Sequence, residues 1–263
     1  MELRKGKERE FHNLMRENEG RLDATRSNKK FYSITRQSKA FMTDWLLSRC
    51  RNKKVLDYGC GAGFLTILAA KGGADAVGID ISDISVENGQ KEAARSGVTG
   101  NAQFKVMDCE ALEFEDNSFD LIVVSGVLHH LDLGKAFEEM ARVLKGDGAI
   151  ICNEGLADNP LLRIYRRRTP HLRTEWEAEH IMRVRDLKLA KRYFGRVDAR
   201  FYHLFTIAAV PFRNTRIFRR LLSLLEAIDS VVLKMPFIRS QAWQTIFVLS
   251  QPNKELFKQD RRN

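Results

Sequence analysis

Apolar and polar residues follow a regular strand–helix pattern between residues 54 and 153. Short apolar runs, such as Phe119 to Ser125, have the length and character of strands buried on both faces. Between these runs, apolar residues recur every three or four positions, as in Leu133 to Leu144, which is typical of a helix that packs on one face. Strands that alternate with helices favour a parallel sheet joined by right-handed crossovers. The pattern therefore predicts an α/β fold.

The same pattern, with glycines and capping residues, predicts where the elements begin and end. Predicted strands span residues 54–58, 76–80, 102–108, 119–125, 149–153, 201–210 and 245–250. Predicted helices span residues 65–70, 83–95, 133–144, 183–194 and 211–236, and one further helix precedes the first strand. Ser82 or Asp83 is expected to cap the second of these helices, and Asp132 the third. The last strand is expected to be antiparallel to the others.

A glycine-rich loop joins the first predicted strand to the helix after it. Three glycines alternate with other residues in this loop: Gly59, Gly61 and Gly63. Glycine lets the backbone turn sharply and approach a ligand that a Cβ would block. A dinucleotide-binding loop needs a small residue where Phe64 stands, so a pyrophosphate ligand is excluded. Asp80, about 20 residues further on at the end of the second strand, is placed to accept both hydroxyls of a ribose.

The sequence D-x-G-x-G-x-G, from Asp57 to Gly63, closely resembles the first motif of class I S-adenosylmethionine (SAM)-dependent methyltransferases. A resemblance to the broad group that contains ubiquinone/menaquinone and phospholipid-base methyltransferases covers about residues 54–155. It implies a Rossmann-like fold with a seven-stranded, mostly parallel sheet, helices on both faces and an antiparallel edge strand at the C-terminus. It also implies helical insertions that cap the active site, and SAM as the methyl donor, with no metal.

The resemblance identifies residues for the cofactor. In the resembling family an acid at the end of the third strand accepts the adenine amino group, which here is Asp108, and Cys109 lines the ring. The full set of cofactor residues that we expect is Asp57, Gly59, Gly61, Gly63, Asp80, Ile81, Asp108, Cys109 and Ser125. The acids and Ser125 all end predicted strands, which is where ligands bind in parallel α/β sheets.

The organisation outside residues 54–155 is less regular. Residues 1–50 are predicted to form an N-terminal helical lid, followed by a methyltransferase domain over residues 51–263. Within it, residues 157–195 are expected to form a substrate cap and residues 211–236 a basic amphipathic helix. In the resembling methyltransferases an aromatic of the lid can touch the substrate, and Tyr32 is the candidate. Packing of Tyr32 with a solvated hydroxyl is the alternative.

Two adjacent histidines, His129 and His130, follow the fourth strand. His130 matches by position the active-site histidine of the phosphoethanolamine methyltransferases that this stretch resembles. We therefore expect His130, with His129 and Tyr32, to act as a general base or to orient the acceptor. The alternative is that the pair caps a helix or packs on the cofactor. No metal is predicted, because His171 and His180 have no spacing that defines a tetrahedral ligand set with nearby glutamates.

Charge and missing motifs restrict the acceptor. The net charge of +10 is concentrated in residues 157–220, with 16 Lys/Arg and six Asp/Glu, so this segment is either a solvated basic face or a site for an anionic partner. No D/N-P-P-Y sequence follows the fourth strand and no cysteine follows a proline, which makes a nucleic acid an unlikely partner. We predict methyl transfer to a hydroxyl of a small-molecule, lipid or glycan acceptor. The alternatives are an RNA methyltransferase that uses the basic C-terminal third, and a non-catalytic SAM-binding scaffold.

The location is predicted to be cytoplasmic. The four cysteines show no paired spacing, which favours free thiols in a reducing compartment, and no run of 18 apolar residues occurs. The N-terminal residues are too charged for a signal peptide. The basic helix and the residues after it, 211–239, suit the surface of an anionic membrane, which would make the protein peripheral at its inner face. They suit equally a helix packed on the sheet or at a dimer interface.

Overall fold

A single seven-stranded sheet forms the centre of the computed structural model, which describes residues 2–17, 28–172 and 174–256. Its strands are β1 (Lys54–Tyr58), β2 (Asp75–Asp80), β3 (Ala102–Val106), β4 (Phe119–Ser125), β5 (Leu144–Gly155), β6 (Phe194–Tyr202) and β7 (Gln244–Pro252). They lie in the order β3-β2-β1-β4-β5-β7-β6. The first five are parallel, whereas β7 is antiparallel to both of its neighbours. The predicted fold class is confirmed.

Helices flank this sheet and cover its carboxyl edge. They are α1 (Glu2–Glu17), α2 (Arg36–Leu47), α3 (Phe64–Lys71), α4 (Asp83–Arg95), α5 (Leu133–Val143), α6 (Pro160–Arg167), α7 (Glu175–His180), α8 (Leu187–Tyr193) and α9 (Phe218–Val232). Short 3-10 segments span Asn28–Ile34, Leu128–His130, Pro170–Leu172, Val184–Asp186, Phe205–Phe212 and Arg239–Gln241. The predicted caps are confirmed: Ser82 accepts from the amide of Ser85, and Asp132 from the amides of the first turn of α5.

The two faces of β4 explain why its central residues, 121–124, are all apolar. Ile122 and Val124 belong to the core under α5 and α8, whereas Leu121 and Val123 belong to the core under α2, α3 and α4. Successive side chains point to opposite faces, so a strand covered on both faces needs apolar residues at every position. Helices on both faces follow directly from this pattern.

The strand order reverses between β1 and β4. Crossovers from β1 lead to β2 and β3 on one side, and those from β4 lead to β5 on the other. The connections therefore diverge at the carboxyl ends of β1 and β4 and leave a crevice there, where open α/β sheets bind their ligands.

The predicted sixth strand, residues 201–210, is wrong. The strand is β6, Phe194–Tyr202, and the apolar stretch after it forms the 3-10 segment Phe205–Phe212. The buried carboxylate of Asp229, from α9, accepts hydrogen bonds from the amides of residues 204–206 at 2.8 to 3.2 Å. A distant residue thus satisfies backbone groups that a strand would otherwise have paired. β6 lies outside β7 and occupies the outer position of the sheet.

The predicted helix over residues 211–236 is also too long. The helix α9 spans Phe218–Val232 only. Pro211 has no amide hydrogen to donate and lies in the preceding 3-10 segment, while Pro236 follows a turn at the other end. The buried face of α9 carries Leu222, Glu226 and Asp229. Apolar residues that recur at helical spacing over the predicted helix are instead exposed to solvent: Ile217, Leu224, Ile228, Val231 and Met235.

The lid and the cap are both helical. Residues 1–50 contain α1, the segment Asn28–Ile34 and α2, with residues 18–27 outside the described part of the chain. Residues 157–195 contain α6, α7 and α8, and the last of these ends where β6 begins, at Phe194. The division of the chain into a lid and a domain stays a prediction. All four cysteines are free thiols, as predicted.

Candidate active site

A cavity of about 400 Å³ lies in the crevice at the carboxyl ends of β1, β2 and β4; we call it the first cavity. Eight of the nine residues predicted for the cofactor line it: Asp57, Gly59, Gly61, Asp80, Ile81, Asp108, Cys109 and Ser125. Gly63 does not line it. The Gly63 backbone has φ +82°, and a Cβ there would lie 2.4 Å from the ring of Phe104. Gly63 therefore serves the packing of the loop.

Two aspartates accept hydrogen bonds from the glycine loop and the helix that follows it. Asp57 is buried at the end of β1 and accepts hydrogen bonds from the amide and hydroxyl of Thr66, at 2.9 and 2.7 Å. Burial raises the pKa of Asp57 to about 7. Asp80 accepts from the amides of Gly61 and Ser82, at 2.8 and 2.9 Å. Its carboxylate remains at the cavity wall, where a ribose would meet it.

Helix α1 closes the first cavity with charged side chains. Lys5 forms an ion pair with Asp108, and Arg4 forms one with the buried Glu110. Burial opposes the charge on Lys5, but Asp108 and Glu110 outweigh it and raise its pKa. Any adenine bound at Asp108 must therefore share this carboxylate with Lys5 or displace it.

The lid also contacts the substrate cap. Thr174 donates a hydrogen bond to Glu8, and the Arg4 guanidinium lies 4.4 Å from the ring centroid of Trp176. These two contacts hold the 174–180 segment against α1. Sequence reasoning predicted a lid but named none of these α1 residues. Glu8, His12 and Arg16 lie four positions apart, which places them on one face of a helix, and this spacing was the available signal.

A second cavity of about 250 Å³ adjoins the first and shares Ser125 and Gly126 with it. The side chains that line the second cavity come from widely separated segments: Phe31, Tyr32, His129, Asn153, Leu162, Tyr165, Arg166, Glu177, Ile181, Trp243 and Gln244. The ring of Phe31 contacts Tyr165 edge to face at 5.1 Å and lies 5.6 Å from Trp243. Tyr32, predicted to touch a substrate, lies in this wall.

The adjacent histidines face different cavities. His130 lines the first cavity, and its Nδ1 lies 2.9 Å from Oε2 of Glu8. His129 lines the second, and its Nδ1 lies 2.8 Å from Oε2 of Glu154. The rings of these consecutive residues of the 3-10 turn Leu128–His130 remain in contact, with centroids 4.2 Å apart, so the pair lies between the two cavities.

Electrostatics separates the two histidines as well. Burial lowers the pKa of His130, and a charge on His129 lowers it further, so His130 favours the neutral form. Burial also opposes protonation of His129, but the Glu154 carboxylate outweighs it and raises the pKa of His129. His12, beside His130 at a ring distance of 4.7 Å, has its pKa lowered to about 4 by burial. The strongest proton acceptor of the three therefore lies at the second cavity.

Glu154 was not identified from the sequence. It lies near the end of β5, is 1% exposed, and its Oε1 accepts from the amides of Val127 and Leu128 at 2.8 Å each. An acidic residue in an apolar strand was the signal, because a carboxylate is rarely buried without several partners.

Two groups of side chains in the described residues have the composition of a metal site. One is Glu8, His12 and His130 at the first cavity, and the other is His129, His130 and Glu177 between the cavities. Both belong to the walls already described. His180, considered as a ligand from the sequence, instead stacks on Trp176 at 3.6 Å.

Comparison with known proteins decides the family. A family model described as a methyltransferase domain matches residues 50–197, more than half of the chain. The chain belongs to this methyltransferase family. SAM is the methyl donor of such enzymes, and the first cavity of this methyltransferase fits it: the Asp80 carboxylate meets the cavity beside a loop of glycines, and Ile81 and Cys109 offer apolar contact.

This chain spans about half the length of the curated relatives that it matches. The uncharacterized methyltransferase YcgJ of Bacillus subtilis is 35% identical over 144 residues, which cover 50% of this chain and 56% of YcgJ. The ubiquinone/menaquinone biosynthesis C-methyltransferase UbiE of Cronobacter sakazakii is 36% identical over 128 residues, which cover 47% of this chain and 50% of UbiE.

Solved structures share the fold of this methyltransferase. The crystal structure of YcgJ from Bacillus subtilis superposes with a TM-score of 0.55 at 20% identity and covers 81% of this chain and 99% of its own. A phosphoethanolamine N-methyltransferase of Haemonchus contortus, solved with S-adenosylhomocysteine, superposes with a TM-score of 0.56 at 18% identity, covering 80% of this chain and 52% of its own. These likenesses show the common architecture alone.

Proposed function

We propose that this protein transfers the methyl group of SAM, bound in the first cavity, to a small-molecule acceptor bound in the second cavity. The observation that carries the proposal is that the two cavities meet at Ser125 and Gly126, at the carboxyl end of β4. Gly126 has φ +68°, and no atom lies within 4 Å of the position of a Cβ, so the backbone leaves the junction open. An acceptor atom there faces the cofactor directly.

Alignment is the main task of the protein in this reaction. SAM supplies a methyl group that is already activated by the positive sulfonium. Walls that hold the acceptor in line with the methyl–sulfur bond can lower the barrier by roughly 7–11 kcal/mol. A base adds about 10²–10⁴-fold where the acceptor must lose a proton. His129 and His130 both lie within this region, with Tyr32 in the acceptor wall.

The acceptor that we propose is a lipid-like molecule that carries a hydroxyl. The aromatic rings of Phe31, Tyr32, Tyr165 and Trp243 favour an apolar body, while Asn153 and His129 offer polar contacts for one end. We propose the hydroxyl oxygen as the methylated atom. A ring carbon beside a hydroxyl is the second candidate, because relatives are named as quinone and sterol C-methyltransferases.

We also propose that the protein meets its acceptor at the surface of an anionic membrane. None of the helices in the described part of the chain combines the length and apolar character needed to cross a bilayer. The surface in question spans residues 205–243. Its exposed apolar side chains are Phe205, Phe212, Ile217, Leu224, Ile228, Val231, Met235 and Phe237.

The charges of this surface favour an anionic partner. Residues 205–243 contain six Lys/Arg and two acids, Glu226 and Asp229, and both acids are buried. Glu226 pairs with Arg36, and Asp229 holds the amides of residues 204–206. The exposed side of the segment therefore combines apolar and cationic groups, which suits a membrane of anionic lipids. A cytoplasmic location at the inner face of such a membrane stays a prediction.

The surface adjoins the second cavity. Asn159, which caps α6, donates a hydrogen bond to the carbonyl of Gln241 at 2.7 Å, and Leu161 in the first turn of α6 is 75% exposed. Trp243, at the end of the segment, lines the cavity itself. A lipid acceptor could therefore pass from the bilayer to the cavity over a short distance.

Tritiated SAM added to the purified protein with a cell extract tests the methyl transfer. We expect label in the organic phase after extraction with chloroform and methanol. Label in material sensitive to ribonuclease would replace the lipid acceptor with RNA. Binding of SAM without transfer to any fraction would favour a non-catalytic scaffold and contradict the proposal.

Flotation with vesicles tests the membrane surface. Protein should float with vesicles that contain about 30% phosphatidylglycerol and remain behind with pure phosphatidylcholine. Changing Val231→Asp and Phe237→Asp together should weaken binding about tenfold or more, because two exposed apolar anchors are lost. The control is Val106→Asp, at an exposed apolar position on β3, the opposite edge of the sheet. Equal binding of the double variant and the wild type would contradict the proposed surface.

A further inference from the structure

His129 is partly buried and pairs with the buried Glu154, and the comparisons with known proteins assign no role to this pair. We propose that Glu154 is a positioning residue: it holds the proton of His129 on Nδ1, so that the bare Nε2 removes a proton from a hydroxyl of the acceptor in the second cavity. This inference rests on the proposed methyl transfer. The acceptor is then a molecule whose methylated group carries a removable proton, and His129 is the residue that removes this proton.

The hydrogen bonds of Glu154 leave His129 one tautomer. Oε1 accepts from the amides of Val127 and Leu128, at 2.8 Å each, and so the carboxylate is anchored to the turn that carries the histidine. Oε2 lies 2.8 Å from Nδ1 of His129. A carboxylate with two amide donors on one oxygen acts only as an acceptor, so Nδ1 must donate. The proton of a neutral His129 then lies on Nδ1, and Nε2 has a free lone pair.

Nε2 of His129 faces the second cavity. Oε1 of Glu177, from α7, lies 4.0 Å from it, which is beyond hydrogen-bond distance. Arg166 from α6 and His130 on the same turn also act on this imidazole, and Tyr32 lies in the same cavity wall. Arg166 donates to the carbonyl of Leu156 at 2.8 Å. An acceptor hydroxyl in the cavity can thus approach Nε2.

The proton transfer balances without a further reactant. The acceptor O–H bond breaks as its proton moves to Nε2 of His129, and the oxygen forms a bond to the methyl carbon. The carbon–sulfur bond breaks, its electron pair goes to sulfur, and S-adenosylhomocysteine leaves. The imidazolium that forms lies against the Glu154 carboxylate, which stabilises its charge until the proton passes to solvent.

His130 is not placed for this step. It lines the first cavity and lies against Glu8 and His12, both of the lid helix. The two rings are in contact, with centroids 4.2 Å apart, but only His129 lines the second cavity, although the resemblance noted in the sequence favoured His130.

The variant Glu154→Gln tests the positioning role. Its Oε1 can still accept from the two amides, but the side-chain NH₂ then faces Nδ1 and favours the other tautomer, with the proton on Nε2. With tritiated SAM and cell extract, we expect transfer to fall about 10²-fold or more while SAM affinity changes less than about twofold. The matched control is Glu138→Gln on α5, an exposed glutamate that lines neither cavity, which should leave transfer unchanged.

The pH profile and the tautomer provide independent readouts. The rate of transfer by the wild type should rise with pH as His129 loses its proton. In Glu154→Gln the midpoint of this rise should move to lower pH, because the carboxylate that raised the pKa of His129 is gone. Nitrogen-15 NMR of the wild type should show neutral His129 protonated on Nδ1. A proton on Nε2 in the wild type, or an unchanged rate and pH profile in the variant, would overturn the proposal. If the wild type transfers no label, the proposed function fails, whereas the NMR result still decides the tautomer.

Discussion

The two cavities of this methyltransferase are assembled in different ways. The first cavity takes most of its wall from the ends of consecutive parallel strands, so its residues follow one another in chain order: Asp57, Asp80, Asp108, Ser125. The second takes its wall from the 28–34 segment, the turn after β4, α6, α7 and the start of β7. A parallel sheet dictates where its strand ends meet, whereas an inserted cap can meet the sheet in many ways. Motifs therefore predict residues that line the first cavity but few of those that line the second.

The two cavities also differ in how they are closed. The lid helix α1 closes the first with ion pairs to Asp108 and Glu110, on the sheet side. Aromatic contacts among Phe31, Tyr165 and Trp243 form part of the second. Charged closure suits a polar, charged cofactor, and aromatic closure suits an apolar acceptor. Substitutions that act on only one cavity can test this difference.

Asp80→Ala should have the largest effect and act on the first cavity alone. It removes a carboxylate that can bind two ribose hydroxyls and that holds the amides of Gly61 and Ser82. We expect SAM affinity to fall roughly 10³-fold, because each hydrogen bond to a charged group contributes about 1.5–3 kcal/mol. Calorimetric titration with SAM measures this. Asp75→Ala, at the exposed other end of β2, is the control, and equal affinity in both variants would remove the ribose assignment.

The paired variants His129→Gln and His130→Gln should separate the cavities. His129→Gln should reduce the turnover of labelled SAM about 10²-fold and leave the KM for SAM unchanged, because it faces the acceptor. His130→Gln should raise the KM for SAM and reduce turnover less, because it faces the cofactor and the lid. The reverse result, with His130 controlling turnover, would contradict the division and restore the assignment that the sequence favoured.

The effect of Asp57→Asn should appear as a pH dependence of stability. Burial raises the pKa of Asp57 from its ordinary 3.8 to about 7 in the folded protein, so folding takes up a proton between these values. The contribution of this group is fully present below about pH 4 and is lost as the pH rises through 7, by up to about 1.4 kcal/mol per pH unit. Chemical denaturation at several pH values measures it.

The asparagine variant provides the comparison within that experiment. Asparagine does not titrate, so the variant lacks this pH dependence. As the pH rises from 4 to 7, the free energy of unfolding of the wild type should therefore fall relative to that of the variant. A difference that stays constant over this range would show that Asp57 is ionised in the folded protein at low pH. SAM should be absent, because binding would add its own pH dependence.

Prediction from the sequence succeeded where a local pattern is the cause of the structure. The strands that surround the crevice, the caps at Ser82 and Asp132, and the glycine loop all follow from residues close in the chain. It failed for residues 201–210, where an apolar stretch became a 3-10 segment because the carboxylate of Asp229 holds its amides. It also extended α9 beyond both ends, across Pro211 and Pro236.

The same contrast applies to the functional residues. Eight predicted cofactor residues meet in one cavity, because each ends a strand or belongs to the loop after β1. Gly63 matched the motif but packs against Phe104 instead. Glu154 was not predicted, because its contacts are with the turn at residues 127–129. This turn is 25 residues or more away in the sequence, and the pairing of β4 with β5 brings it beside Glu154.

The sequence by itself determined the parallel part of the sheet, the glycine loop and the family, since hydrophobic periodicity and closely spaced glycines and acids act over short stretches of chain. Only the tertiary structure decided which histidine lines the second cavity, which carboxylate pairs with it, and that most apolar residues of α9 lie at the surface. These outcomes depend on contacts between segments far apart in the chain, such as those that Glu154 makes with His129 and Asp229 with residues 204–206. The direction of a side chain within a three-residue turn depends on what packs around it, and no periodic pattern carries that information.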